Sequence, residues 1–136
     1  MTVDELVHRS RGRIRRVGPL ELDAIGREGG LLVDIRPEFQ RAQEGTLPGA
    51  VCVERNVLEW RLDPTSPHRL PDVTGYDQPV VVICSEGYAS SLAAATLADM
   101  GYVAPADLVG GYCAWRAWFI ETNQQPRALV PTSLGD

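Results

Sequence analysis

The run Val80-Val81-Val82-Ile83 ends in Cys84, passes through the short loop Ser85-Glu86-Gly87-Tyr88, and opens into an alanine-rich helical pattern that begins at Ala89 or Ser90. Four consecutive apolar, mostly β-branched residues without polar alternation describe a strand covered on both faces. Such a strand suits a parallel sheet with helices above and below it. The switch from strand to helix period across one short loop therefore points to an α/β fold.

The rest of the chain repeats this alternation. Thr2 and Glu5 have the spacing of a helix N-cap and its N3 partner, and Gly12 ends that first helix. Residues 14–17 read as a short edge strand. Residues 19–28 suit a helix that starts on Pro19 and stops at Gly29-Gly30. Leu31-Leu32-Val33-Asp34-Ile35 is a buried strand, followed by a helical turn over 37–44, a turn at Thr46-Leu47-Pro48-Gly49 and a strand over 50–53. Residues 57–62 fit a helix, and 63–78 a proline-containing loop. After the central strand (80–84) and the helix to Met100, a short strand is expected at 107–109, broken by Gly110-Gly111. A last helix is expected over 112–122, with an extended or frayed tail from Gln124. The sum is a parallel sheet with helices on both faces.

Length and charge limit the function. A chain of 136 residues is enough for one domain with a real core, and a formal net charge of −5 argues against a nucleic-acid binder, whose footprint is basic. All thirteen basic residues are arginine. Five of them (Arg9, Arg11, Arg13, Arg15 and Arg16) cluster near the start, where a solvated basic face is expected and a docking patch for an acidic partner or RNA is the alternative. Cys52, Cys84 and Cys113 are odd in number, widely spaced and lack a CxxC pair, so they outline neither a disulfide framework nor a zinc site. A reducing, cytoplasmic setting is expected, since no apolar run approaches a membrane span and the start of the chain is charged. His8 and His68 are expected at the surface, and Trp60, Trp115 and Trp118 in packing.

Cys84 is the candidate nucleophile. It stands at the carboxyl end of a buried strand and just before a helix N-terminus, where open α/β sheets bind ligands and where amide dipoles favour a thiolate. Gly87 lets the loop curl so that successive N–H groups point inward and form an anion nest. For Cys52, flanked by Val51 and Val53, and for Cys113, beside aromatics, simple packing is the expectation.

Four segments in this order resemble the single-domain rhodanese family of sulfurtransferases: Leu32-Val33-Asp34-Ile35-Arg36, Leu47-Pro48-Gly49-Ala50, the strand and loop from Val81 to Ser90, and Val109-Gly110-Gly111-Tyr112-Cys113-Ala114-Trp115. The resemblance implies one rhodanese-like domain over 1–136, with its core at about 14–121 flanked by an N-terminal helix and a C-terminal tail. It implies that Cys84 carries a persulfide and that the amides of Ser85, Glu86, Gly87, Tyr88, Ala89 and Ser90 cradle it. It implies a small sulfur-donor anion or thiol such as thiosulfate, and a cyanide, small-thiol or protein-thiol acceptor, with no metal or organic cofactor. The oligomeric state is left open. A binding or sulfur-carrier module is the non-enzymatic alternative.

Three positions depart from the family pattern. Thr46 stands where the turn usually begins with His, Glu86 places a carboxylate in the loop, and Ala89 replaces a commonly polar residue. A carboxylate beside the thiol repels a dianionic donor. Arg55 and Arg61 are candidates to supply the missing positive charge. Asp34 and Arg36 are expected to brace the loops as an ion pair, with substrate contact as the alternative. The related phosphatases carry Cys-x₅-Arg, but here Ser90 stands in the arginine's place, which argues against phosphoryl transfer.

Overall fold

The computed structural model describes residues 1–128. Five strands, β1 (Arg15–Val17), β2 (Leu31–Asp34), β3 (Val51–Cys52), β4 (Val80–Ile83) and β5 (Pro105–Leu108), form one sheet in the order β1-β5-β4-β2-β3. Every neighbouring pair is parallel. Six helices cover it: α1 (Val3–Arg11), α2 (Pro19–Arg27), α3 (Glu38–Glu44), α4 (Leu58–Leu62), α5 (Ala89–Met100) and α6 (Gly111–Ala128). No helix among the described residues is long and apolar enough to cross a membrane.

Period-two geometry divides the core. Val80, Val82 and Cys84 pack with Leu58, Leu62, Ala93, Ala94 and Leu97 from α4 and α5. Val81 and Ile83 pack on the opposite face with Leu22 of α2 and Tyr112 of α6. The small side chains of α5 let it sit close to β4, and α1 lies against the outside of α5. Capping is as the spacing implies: the Thr2 hydroxyl accepts the Glu5 N–H at 3.1 Å, and the Glu5 carboxylate accepts the Thr2 N–H at 2.7 Å. That second bond holds the Glu5 carboxyl below its ordinary range.

The strand order creates a switch point. From β2 the chain crosses to β3 on one side, and from β4 it crosses to β5 on the other. The loops leaving β2 and β4 therefore diverge and open a crevice at the carboxyl edge, the place where such sheets bind ligands. Cys84 lies on one of those two loops.

Four expectations are corrected. Cys52 is exposed, because β3 is a two-residue edge strand whose pleat turns Val51 to the core and Cys52 outward. Cys113 is also exposed, in the first turn of α6. Trp60 on the short helix α4 is 56% exposed, since Leu58 and Leu62 take that helix's buried face. Finally, α6 continues to Ala128, past the expected stop at Thr122 and through Pro126, whose missing N–H removes one ladder bond without ending the helix. The rest of the expected tail, 129–136, lies outside the described residues.

Candidate active site

Cys84 follows β4 directly and is 8% exposed. Its Sγ accepts the Gly87 N–H at 3.1 Å and the Ser90 N–H at 3.3 Å. Two amides aimed at one sulfur favour negative charge there, and the N-terminus of α5 adds its positive end.

The path of the loop around the thiol is fixed from outside through its carbonyls. The Cys84 carbonyl accepts the Tyr112 N–H at 2.8 Å, and the Ser85 carbonyl accepts the Cys113 N–H at 3.0 Å. These donors belong to the first turn of α6, whose N–H groups have no partner within the helix. The Gly87 carbonyl accepts bonds from Arg11 Nη2 at 2.7 Å and Arg16 Nη2 at 3.0 Å. Two glycines make this packing fit. Gly87 has φ +88, and a Cβ there would stand 2.8 Å from the Gly110 nitrogen. Gly111 has φ +64, and its Cβ would meet the Ser85 and Cys84 carbonyl oxygens at 2.5 and 2.6 Å. The Gly110-Gly111 pair at the start of α6 is thus a clamp on the Cys84 loop as well as a strand breaker.

Two Asp–Arg pairs, each on a buried carboxylate, hold the flanks. On one side Arg36 Nη2 donates to Asp34 Oδ2 at 2.7 Å, and Nε donates to Oδ1 at 3.0 Å. Arg36 also reaches Glu44 Oε1 at 3.1 Å and the Gly45 carbonyl at 2.9 Å, with its guanidinium 4.0 Å from the Tyr112 ring centroid. Burial works against the Arg36 charge, but the hydrogen bonds and charges of Asp34 and Glu44 outweigh it and hold the guanidinium above its ordinary value. Glu44 passes the brace on, accepting the Ser85 hydroxyl at 2.8 Å.

On the other side Asp107, fully buried in β5, accepts Arg16 Nε at 2.9 Å and the hydroxyls of Ser90 and Ser91 at 2.8 and 2.7 Å.

A cavity of about 660 Å³ opens in front of the thiol. Cys84, Ser85, Glu86, Tyr88 and Ala89 line one wall, and Ile35, Arg36, Glu44, Glu54 and Arg55 are among those lining the other. Glu86 is exposed, and Tyr88, 59% exposed, stands at the mouth. Arg55 reaches the cavity but pairs with Glu59 at 3.2 Å. Arg61 does not line it and donates instead to the His68 carbonyl at 2.8 Å.

Arg36, Arg55, Cys84, Ser85, Glu86, Tyr88 and Ala89 thus line one crevice; Gly87 and Ser90 act behind it through their amides on Sγ, and Asp34 holds Arg36 from within. Sequence reasoning missed Glu44, Asp107, Arg11 and Arg16. The basic segment is only partly a solvated face: Arg9, Arg13 and Arg15 are exposed, whereas Arg11 and Arg16 turn inward onto the loop. Asp107 carried a readable signal, since a carboxylate inside a buried strand needs a cation and hydroxyl donors.

A thiol held by loop amides at the switch point of a parallel sheet defines a cysteine-loop α/β protein. Residues 19–117 match the rhodanese-like domain family, and the chain belongs to it. It is 33% identical over 102 residues to the adenylyltransferase and sulfurtransferase UBA4 of Candida albicans; that match covers 74% of this chain but only 23% of the relative's length. It is 28% identical over 114 residues to the thiosulfate sulfurtransferase GlpE of Pseudomonas savastanoi pv. phaseolicola, covering 82% of this chain and 95% of that one. A solved structure from Rhodopseudomonas palustris, described as a protein of unknown function and possible tyrosine phosphatase, superposes with a TM-score of 0.78 at 30% identity. That superposition covers 88% of this chain and 92% of the other.

Proposed function

We propose that this chain is a sulfurtransferase that carries sulfane sulfur on Cys84. The observation that carries the reading is the pair of Gly87 and Ser90 amides on Sγ, facing an open cavity. In the first step the Cys84 thiolate attacks the outer sulfur of the donor. The donor's S–S bond breaks, its electron pair leaves with the thiolate or sulfite leaving group, and a new S–S bond forms on Cys84. In the second step an acceptor (cyanide, a small thiol or a protein thiol) attacks the terminal sulfur, and the electron pair returns to Cys84. Sulfur is passed on without net oxidation, and one hard transfer becomes two easier ones. The loop amides stabilise the anionic persulfide between the steps. The three cysteines are all free thiols, as suits a protein working in a reducing, cytoplasmic setting.

Charge and size favour an organic persulfide over thiosulfate as donor. Of the lining carboxylates, Glu44 is paired with Arg36 and Glu54 with Arg41, whereas Glu86 has no ion-pair partner among the described residues; the lining arginines are both engaged, Arg36 by Asp34 and Glu44, and Arg55 by Glu59. A cavity of about 660 Å³ exceeds what a small inorganic dianion fills. The phosphatase reading of the structural neighbour finds no support here. Ser90 replaces the phosphate-clamping arginine, and Arg11 and Arg16 bond the outward carbonyl of Gly87.

The test is a donor panel. Transfer to cyanide or a small thiol is measured with thiosulfate and with the persulfide of an uncharged thiol, for the native chain, Cys84→Ser and Glu86→Gln. Cys84→Ser abolishes transfer from both donors. Glu86→Gln raises kcat/KM for thiosulfate about threefold through lost repulsion at a screened site and leaves the uncharged donor unchanged. Transfer that survives Cys84→Ser overturns the mechanism. Absence of transfer from every donor leaves a binding module as the reading, and thiosulfate as the better donor with no response to Glu86→Gln overturns the donor preference.

A further inference from the structure

We propose that Arg11 and Arg16 are positioning residues that strengthen the sulfur cradle through the Gly87 carbonyl, making the N-terminal helix a working part of the site. The inference rests on the Cys84 sulfur-carrier reading above.

Both guanidiniums converge on one oxygen, Arg11 at 2.7 Å and Arg16 at 3.0 Å. Arg11 Nε also donates to the Ser91 hydroxyl at 3.0 Å, and its guanidinium lies 5.2 Å from the Tyr88 ring centroid. Arg16 is neutralised by buried Asp107, whereas Arg11 has no carboxylate partner among the described residues. A full positive charge is therefore directed at the loop's backbone. Arg11 and Arg16 precede the 19–117 segment matched to the family.

The Gly87 carbonyl shares its peptide plane with the Tyr88 N–H. In a trans peptide the two point in opposite directions. Two cations on the oxygen draw electron density toward it and leave the N–H more positive on the side away from the arginines. Among the described residues the Tyr88 N–H has no hydrogen-bond partner. It is available to the second sulfur of a Cys84 persulfide, while the Gly87 and Ser90 amides hold Sγ. The arginines also fix the carbonyl outward, which keeps the Tyr88 N–H of the same peptide turned the other way.

Arg11→Met keeps the aliphatic stem and removes the charge without stranding a buried carboxylate; Arg11→Lys restores the charge on a single ammonium nitrogen. Two measurements are made at neutral pH on the full chain: the rate at which iodoacetamide alkylates Cys84 relative to Cys113 in the same sample, and the decay of the sulfur-loaded form by intact mass. In Arg11→Met we expect Cys84 alkylation to slow about fivefold relative to Cys113 and the loaded form to decay about fivefold faster, with Arg11→Lys recovering most of both. Thermal unfolding separates this from loss of fold, since a merely structural role lowers Tm without rescue by lysine. Unchanged alkylation and decay in a folded Arg11→Met overturn the inference. If the native chain takes up no sulfur, the sulfur-carrier reading fails, while the alkylation ratio still judges the arginine's effect on Cys84.

Discussion

Asp34–Arg36 and Asp107–Arg16 are both Asp–Arg pairs built on a buried carboxylate, and they hold opposite flanks of the Cys84 loop. The first is dry on both sides: the Arg36 side chain is 0% exposed and Asp34 2%. It is made within a single turn, two residues apart, and acts on the loop at one remove, through Glu44 to the Ser85 hydroxyl. The second joins residues 91 apart, and its arginine is 22% exposed. It acts at first hand: Asp107 bonds Ser90 and Ser91, and Arg16 bonds Gly87. The difference separates two jobs. The dry pair fixes the crevice wall, and the wetter pair sets the cradle.

That division can be broken by substitution. Asp34→Ala leaves the fully buried Arg36 guanidinium with Glu44, itself 26% exposed, as its remaining counter-charge, and the expected loss is about 3 kcal/mol or more in denaturant unfolding. Asp107→Ala leaves an arginine that can reach water, so the expected loss is smaller, about 2–3 kcal/mol. Sulfur transfer should respond in the opposite order. Asp107→Ala frees two serines at the start of α5 and lowers kcat about tenfold or more, beyond the effect of Asp34→Ala measured where both remain folded. Equal effects of the two variants on transfer would dissolve the distinction.

A control lies outside both braces. The Tyr102 hydroxyl donates to the Leu62 carbonyl at 2.6 Å, and burial, with the nearby Tyr76 and Asp63, pushes its pKa from 10.0 up to about 12. The neutral phenol is the form the fold favours. Its stabilisation is fully present below pH 10 and is lost as pH rises through about 12. Tyr102→Phe should cost about 1 kcal/mol at neutral pH and remove that alkaline component from the unfolding curve, with sulfur transfer unchanged. The smallest effect belongs to Ser85→Ala. Glu44 is 26% exposed and can exchange the serine for water, so the expected loss is about 0.5 kcal/mol by thermal unfolding.

The same contrast explains what could be read from the chain itself. Asp34 and Arg36 were legible because their pairing is local and spelled out in three consecutive residues. The Cys84 loop was legible because strand, turn glycine and helix follow one another. Arg16 with Asp107 and Arg11 with Gly87 were not, because the parallel pairing of β1 with β5 and the packing of α1 on α5 bring distant segments side by side. A cluster of five arginines reads as solvated surface until that register is known. Cys52 and Cys113 were misplaced for a related reason: their apolar neighbours suggest burial, but an edge strand and a first helical turn leave one side open. Glu44 reaches Ser85 across 41 residues, a contact that only the switch-point geometry creates.

The most direct test of the account is to find where the sulfur goes. The chain is loaded with an organic persulfide, digested under non-reducing conditions, and each cysteine peptide is weighed. The account predicts one added sulfur on the Cys84 peptide and none on those of Cys52 and Cys113, although both of these are exposed and Cys84 is buried. Sulfur spread over the exposed cysteines, or carried undiminished by the Cys84→Ser variant, would contradict it.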